Sequence, residues 1–267
     1  MTAVDDTERY RAPALDKGLD ILELLADIEG GLTQAEIAKA LQRTPNEIYR
    51  MLDRLVRRGY VGRTDGDRYE LTLKLFALAH RHPPMRRLVA QAMPHLRAFT
   101  RRSLQACHLA VFDRGRVVVI AQVESPGYYG LSIRVGATVG LYNTGSGHVL
   151  LAFRSPAERA LMAAEYERTV DDTGEPGHVA DRLVQVRARG YEAVPSWQTA
   201  GVHNLSAPVL GPDGSAIAAL TCPYLAPLNQ PTAPDMPQTI HLLLEAAGAI
   251  SALMGGPASA AGDPAGG

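Results

Sequence analysis

The chain has 267 residues, 46% of them hydrophobic, and 27 Lys and Arg nearly balance 28 Asp and Glu for a formal net charge of −1. This is enough apolar material for one or two buried cores, and the length favours two domains. No apolar run is long enough for a membrane span and the acidic start MTAVDDTERY has no export core, so the expected compartment is the cytoplasm.

In chain order, residues 13–29 place Leu15, Leu19, Leu22 and either Leu25 or Ala26 on one helical face, closed by Gly30-Gly31. Thr33 with Glu36 forms a capping-box pair that starts a second helix. After Gln42-Arg43, Thr44 and Pro45 open a third, with Pro at the position that tolerates a missing N–H. Its stripe of Ile48, Met51, Leu52 and Leu55 is the buried side, which leaves Arg43, Asn46, Tyr49, Arg50 and Arg54 outward. Tyr60–Arg63 and Arg68–Leu71 flank Thr64-Asp65-Gly66-Asp67, where Asp-Gly signals a hairpin. Helix, turn, helix and hairpin make a winged helix-turn-helix spanning 12–73.

Charge distribution supports that reading. Residues 39–102 carry 15 Lys and Arg against five acids, a local +10, so the remainder is −11. Phosphate-backbone binding draws on such a basic segment, because each neutralised phosphate releases counterions. Side chains at the start of the second helix of such a motif reach base edges, so Arg43, Thr44, Asn46, Tyr49 and Arg50 are contact candidates for double-stranded operator DNA, with Arg54 alongside. Arg63 and Arg68 on the wing suit phosphate or the minor groove. Glu47 suits cytosine or, equally, the helix N-terminus.

Residues 74–103 read as a helical linker, interrupted at Pro83-Pro84 and again at Pro94. Leu88, Ala92, Leu96 and Phe99 line one face that packs on the distal domain or against a second subunit, with the dimerising role the favoured expectation. From 104 to 255 the pattern changes to strand pairs mixed with helices. Ala106–Asp113 and Arg116–Val123 form one hairpin and Val202–Leu210 and Ser215–Tyr224 another; helices fall at Gly147–Phe153, Pro156–Arg168, His178–Arg189 and Asp235–Met254. The expected class is α+β with an antiparallel sheet. Residues 256–267 form a low-complexity tail with a composition typical of disorder.

Four ordered stretches carry a family resemblance: LTQAEIAKALQRTPNEIYRMLDRLVRRGYV, RVGATVGLYNTGSGHVLLA at 134–152, RARGYE at 187–192 and GVHNLSAPVLGPDGSAIAALT at 201–221. From about Pro13 to Met254 the chain resembles the IclR family of bacterial transcriptional regulators. The resemblance implies a winged helix-turn-helix joined to a GAF-like effector-binding domain, a homodimer or tetramer, and a small organic acid or aromatic effector. It places the effector at Thr144, Gly145, Ser146 and His148 and on the strands around Asn204 and Thr221. Backbone N–H groups at a helix N-terminus beside hydroxyls and an amide suit a carboxylate. The chain departs from the family pattern where Asn204 replaces a frequent Cys, Val194-Pro195-Ser196-Trp197 an acidic run, and His148 a frequent Lys. Trp197 is a candidate wall for a ring, as are Tyr128, Tyr129 and Tyr142, with plain packing as the alternative.

Catalysis and cofactors are not expected. Cys107, Cys222, His108, His148 and His203 lack the paired spacing of a metal site, and Gly145-Ser146-Gly147 lacks the frame of a nucleophile elbow. The expectation is therefore a ligand-responsive DNA-binding repressor of a catabolic operon. The alternatives are an activator of the same kind, or a sensor whose winged helix makes protein contacts only.

Overall fold

The computed structural model describes residues 12–79, 83–127, 130–167, 176–226 and 232–257. The chain divides into two compact units at Pro83/Pro84. Tyr128, Tyr129 and residues 258–267 of the expected tail lie outside the described residues.

The first unit runs α1 (Pro13–Ala26), β1 (Leu32–Thr33), α2 (Gln34–Ala40), α3 (Pro45–Arg57), β2 (Val61–Thr64), β3 (Arg68–Leu71) and α4 (Lys74–Ala79). The capping box of Thr33 and Glu36 is present, with the Thr33 N–H on the Glu36 carboxylate at 2.8 Å. Ile21, Leu25, Ile37, Ala38, Ile48, Leu52 and Val61 form its core. On α1 the expected face is corrected. Leu15 and Leu19 are 61% and 47% exposed, and Ile21 and Leu25, four residues apart, carry the burial. The wing has a third strand that the hairpin signal did not reveal, since β1 pairs with β3 in the order β1-β3-β2.

The second unit opens with α5 (Pro83–Ser103), then β4 (Cys107–Asp113), β5 (Arg116–Val123), β6 (Thr138–Val139), α6 (Gly145–Ala152), α7 (Pro156–Glu165), α8 (Pro176–Arg189), β7 (Glu192–Pro195), β8 (Val202–Leu210), β9 (Ala216–Leu225) and α9 (Met236–Leu253). Six strands form an antiparallel sheet in the order β6-β5-β4-β9-β8-β7. Helices α5 and α9 bury Leu88, Leu96, Phe99, Leu243 and Ile250 on one face with Cys107, Leu109, Leu205 and Leu220. On the other face, α6, α7 and α8 pack Leu150, Met162 and Val186 against Val117, Val119 and Ala219. The sheet is thus sandwiched between helical layers, the α+β class expected.

Two expectations about α5 are corrected. The helix runs through Pro94 without interruption. A proline costs a helix interior about 3 kcal/mol, and the burial of Leu88, Ala92, Leu96 and Phe99 outweighs that. Those same four side chains are spent inside the chain's own core, so they offer no dimerising face.

Candidate functional site

The outward side of α3 carries the residues expected to meet nucleic acid. Arg43, Thr44, Asn46, Tyr49, Arg50 and Arg54 are all exposed, Tyr49 by 57% despite its aromatic ring. Arg43 lies 4.0 Å from Asp20, and Arg63 on β2 is held by Asp67 at 2.7 Å. Arg68 is half-buried and donates to the Gly31 carbonyl at 2.8 Å, so it braces the wing. Glu47 has a structural job: its carboxylate accepts the Thr44 N–H and hydroxyl and the Lys17 ammonium. The Thr44 N–H first, then Lys17, holds its pKa down to about 2. Glu47 is therefore committed to starting α3 and tying it to α1, and Gln34 adds a bond to the Pro45 carbonyl at 3.0 Å.

In the second unit the chain reaches α6 through Thr144, whose hydroxyl donates to the Gly140 carbonyl and accepts the Gly147 N–H. Two glycines allow the approach. A Cβ on Gly147 would stand 2.1 Å from the Leu141 oxygen, and one on Gly145 would stand 2.5 Å from the Ser206 hydroxyl. The first turn of α6 is thereby pressed onto β8 and β9. Ser146 meets the Thr221 hydroxyl at 2.8 Å, and Thr221 donates to Ser206 at 2.8 Å. The N–H groups of Gly145 and Ser146 find no acceptor among the described residues. A helix N-terminus with free N–H groups over hydroxyls is a cradle for an anionic group.

One turn further along, His148 lies with Nε2 2.9 Å from the Tyr142 carbonyl and Nδ1 2.9 Å from the Glu192 carboxylate. Glu192 is fully buried on β7 and also receives Arg182, Arg189 and the Ala193 N–H. Burial alone raises its pKa; the His148 hydrogen bond and the charges of His148, Arg182 and Arg189 outweigh that and hold it low. This ties the departures noted in the sequence together, because the base at 148 finds its acid at 192 and not in the segment 194–197.

The structure thus brings Thr144, Gly145, Ser146, His148 and Thr221 into one buried cluster, with the Asn204 Cβ packed beside Gly145. Trp197 is not brought there; its ring is 72% exposed in the loop after β7. A cleft of about 670 Å³ lies at the other end of α6, among Phe153, Arg154, Leu183, Arg187 and the turn at Asp213–Ser215. The sequence reading did not assign His108, Ser206 and Glu192 to this site. Their only signal was a polar residue inside an apolar strand, which strand register alone turns into a site.

A helix-turn-helix unit with exposed arginines along α3, joined to a second unit with a buried polar cluster at a helix N-terminus, has the make-up of a DNA-binding regulator with a separate sensing domain. Comparison with known proteins assigns it. Residues 14–65 match the IclR helix-turn-helix domain and residues 84–252 the bacterial transcriptional regulator IclR C-terminal domain. The chain belongs to the IclR family of bacterial transcriptional regulators, whose members here are regulators and not enzymes. It is 32% identical over 213 residues to the HTH-type transcriptional regulator BhcR of Paracoccus denitrificans, covering 78% of this chain and 76% of that one. It is 31% identical over 244 residues to the regulator KdgR of Escherichia coli, covering 90% and 91%. Among solved structures, an IclR homolog of Microbacterium hydrocarbonoxydans complexed with 4-hydroxybenzoate shares the fold with a TM-score of 0.74 at 23% identity, over 90% of this chain and 98% of that one.

Proposed function

We propose that the protein is a cytoplasmic repressor of a neighbouring catabolic operon, acting as a homodimer or dimer of dimers and controlled by a small organic acid held at the α6 cradle. The observation that carries the reading is the first turn of α6, with the unsatisfied N–H groups of Gly145 and Ser146 over a buried hydroxyl cluster. The 4-hydroxybenzoate bound by the Microbacterium homolog supports an acid as the effector class. Arg43, Thr44, Asn46, Tyr49, Arg50 and Arg54 read and grip the operator, while Arg63 leaves Asp67 for a phosphate.

Coupling runs through α5. Its apolar face is part of the sensing unit's core, so a ligand that changes how α6 sits on the sheet changes the platform on which α5 rests. The effector acts by its differential affinity for the two arrangements.

The test is binding of the purified protein to its own promoter region across a salt series. Sequence-specific binding that weakens with salt is expected, and Arg50→Ala lowers it by roughly tenfold or more, since one bidentate base contact contributes about 1–3 kcal/mol. Binding that ignores sequence, or that Arg50→Ala leaves intact, defeats the reading. Deleting the gene raises expression of the neighbouring operon if the sign is repression.

A further inference from the structure

The solvent side of α3 divides into side chains committed within the chain and side chains left free. The Thr44 hydroxyl donates to the Glu47 carboxylate at 2.9 Å, and the Lys17 ammonium holds the other oxygen of that carboxylate at 3.0 Å. Asp53 is paired with Arg57 at 2.9 Å, one turn along the helix. Asn46, Tyr49, Arg50 and Arg54 are exposed and have no hydrogen bond or ion pair among the described residues.

The helical repeat ranks these four. At 3.6 residues per turn, Asn46 and Arg50 stand about 40° apart around the axis and about 6 Å apart along it, so they form one row. That row lies opposite the buried Ile48 and Leu52, and Tyr49 and Arg54 flank it on either side. Asp53 continues the row into a third turn. A carboxylate closed by Arg57 offers no donor to the acceptors on a purine edge, so base reading ends with the second turn.

The two free groups in the row have different chemistry. The Asn46 amide sets a donor beside an acceptor, which matches N7 and the N6 amino group of adenine. The Arg50 guanidinium sets two donors side by side, which matches N7 and O6 of guanine. Base pairs stack about 3.4 Å apart, so about 6 Å along a helix lying in the major groove spans about two base-pair steps.

We infer that the operator segment under α3 holds an adenine read by Asn46 and a guanine read by Arg50, about two base pairs apart, and that Tyr49 and Arg54 grip the phosphates at the groove walls. Asn46 and Arg50 are then the specificity-determining residues of the helix. This rests on the operator-binding role proposed above.

Selection of random-sequence duplexes on the purified full-length protein, read by sequencing, tests the assignment. The wild type is expected to enrich an adenine and a guanine at the stated spacing. Asn46→Ala should lower the preference at the adenine alone and Arg50→Ala at the guanine alone, each by about tenfold or more. Arg54→Ala should keep both preferences, weaken binding evenly across sequences and reduce the salt slope by about one. All three side chains are exposed and unbonded among the described residues, so the variants keep the fold, which circular dichroism melts verify. An enriched site without that pair of purines, a folded Asn46→Ala or Arg50→Ala protein that relaxes no position or the same position as the other, or a base preference lost in Arg54→Ala overturns the inference while leaving operator binding standing. If the wild type enriches no sequence, the operator-binding role fails and the inference falls with it.

Discussion

Gly147 shows how narrowly single residues control the sensing unit. A methyl group there meets the Leu141 carbonyl oxygen, a backbone atom that cannot swing aside, so Gly147→Ala must displace the loop before α6. The expected cost is about 1–3 kcal/mol in urea denaturation, the usual range for overpacking a close-fitting site. His108 leaves a different signature. The unfolded chain protonates this imidazole near its ordinary value of 6.5, whereas the folded protein refuses the proton down to about 4. Its contribution is therefore complete above pH 6.5 and is lost as the pH falls toward 4, amounting to about 2 kcal/mol between pH 7 and pH 5. Replacing it in His108→Gln should flatten the fall in stability over that interval. Denaturation curves of both proteins at pH 7 and pH 5 decide the matter, and an equally steep fall in the variant excludes His108 as the cause.

At the level of elements, α3 and α5 are contrasting cases. Helix α3 is set by local chemistry: Pro45 at its first position, Glu47 closing back on Thr44, and a basic last turn. Helix α5 carries an internal proline and is held by what it packs against. Leu96 is fully buried there, so Leu96→Ala should lower stability by about 2–5 kcal/mol. Since the lost contacts lie within one chain, the drop in melting temperature should be the same at low and high protein concentration. A drop that vanishes on dilution would return this face to a subunit interface.

For the whole molecule, the division at Pro83/Pro84 separates a unit that holds its own core from one that begins with α5. A fragment spanning 84–257 keeps both helical layers of the sheet and is expected to fold alone, with a cooperative thermal transition. A fragment starting at residue 104 lacks Leu88, Ala92, Leu96 and Phe99 and should not. Circular dichroism melts of the two pieces make the comparison.

Much of this architecture is legible from the chain because it rests on short-range rules. Proline at a first turn, a carboxylate three residues after Thr33, Ser155 or Thr44, and Asp-Gly between apolar runs act on their neighbours wherever the chain folds. The sequence by itself determined the helix-turn-helix, the main strands of the second unit and the family to which the protein belongs. Register and burial were decided elsewhere. Which face of α1 is covered, how α5 survives Pro94, and which acid meets His148 depend on segments tens of residues away. The row Gln122, His108, Thr221, Ser206 and Glu192 is the clearest instance. Its members are scattered over about a hundred positions, and only antiparallel pairing, which fixes opposite partners and a common face together, makes them one row, with Thr221 and Ser206 in hydrogen-bond contact there.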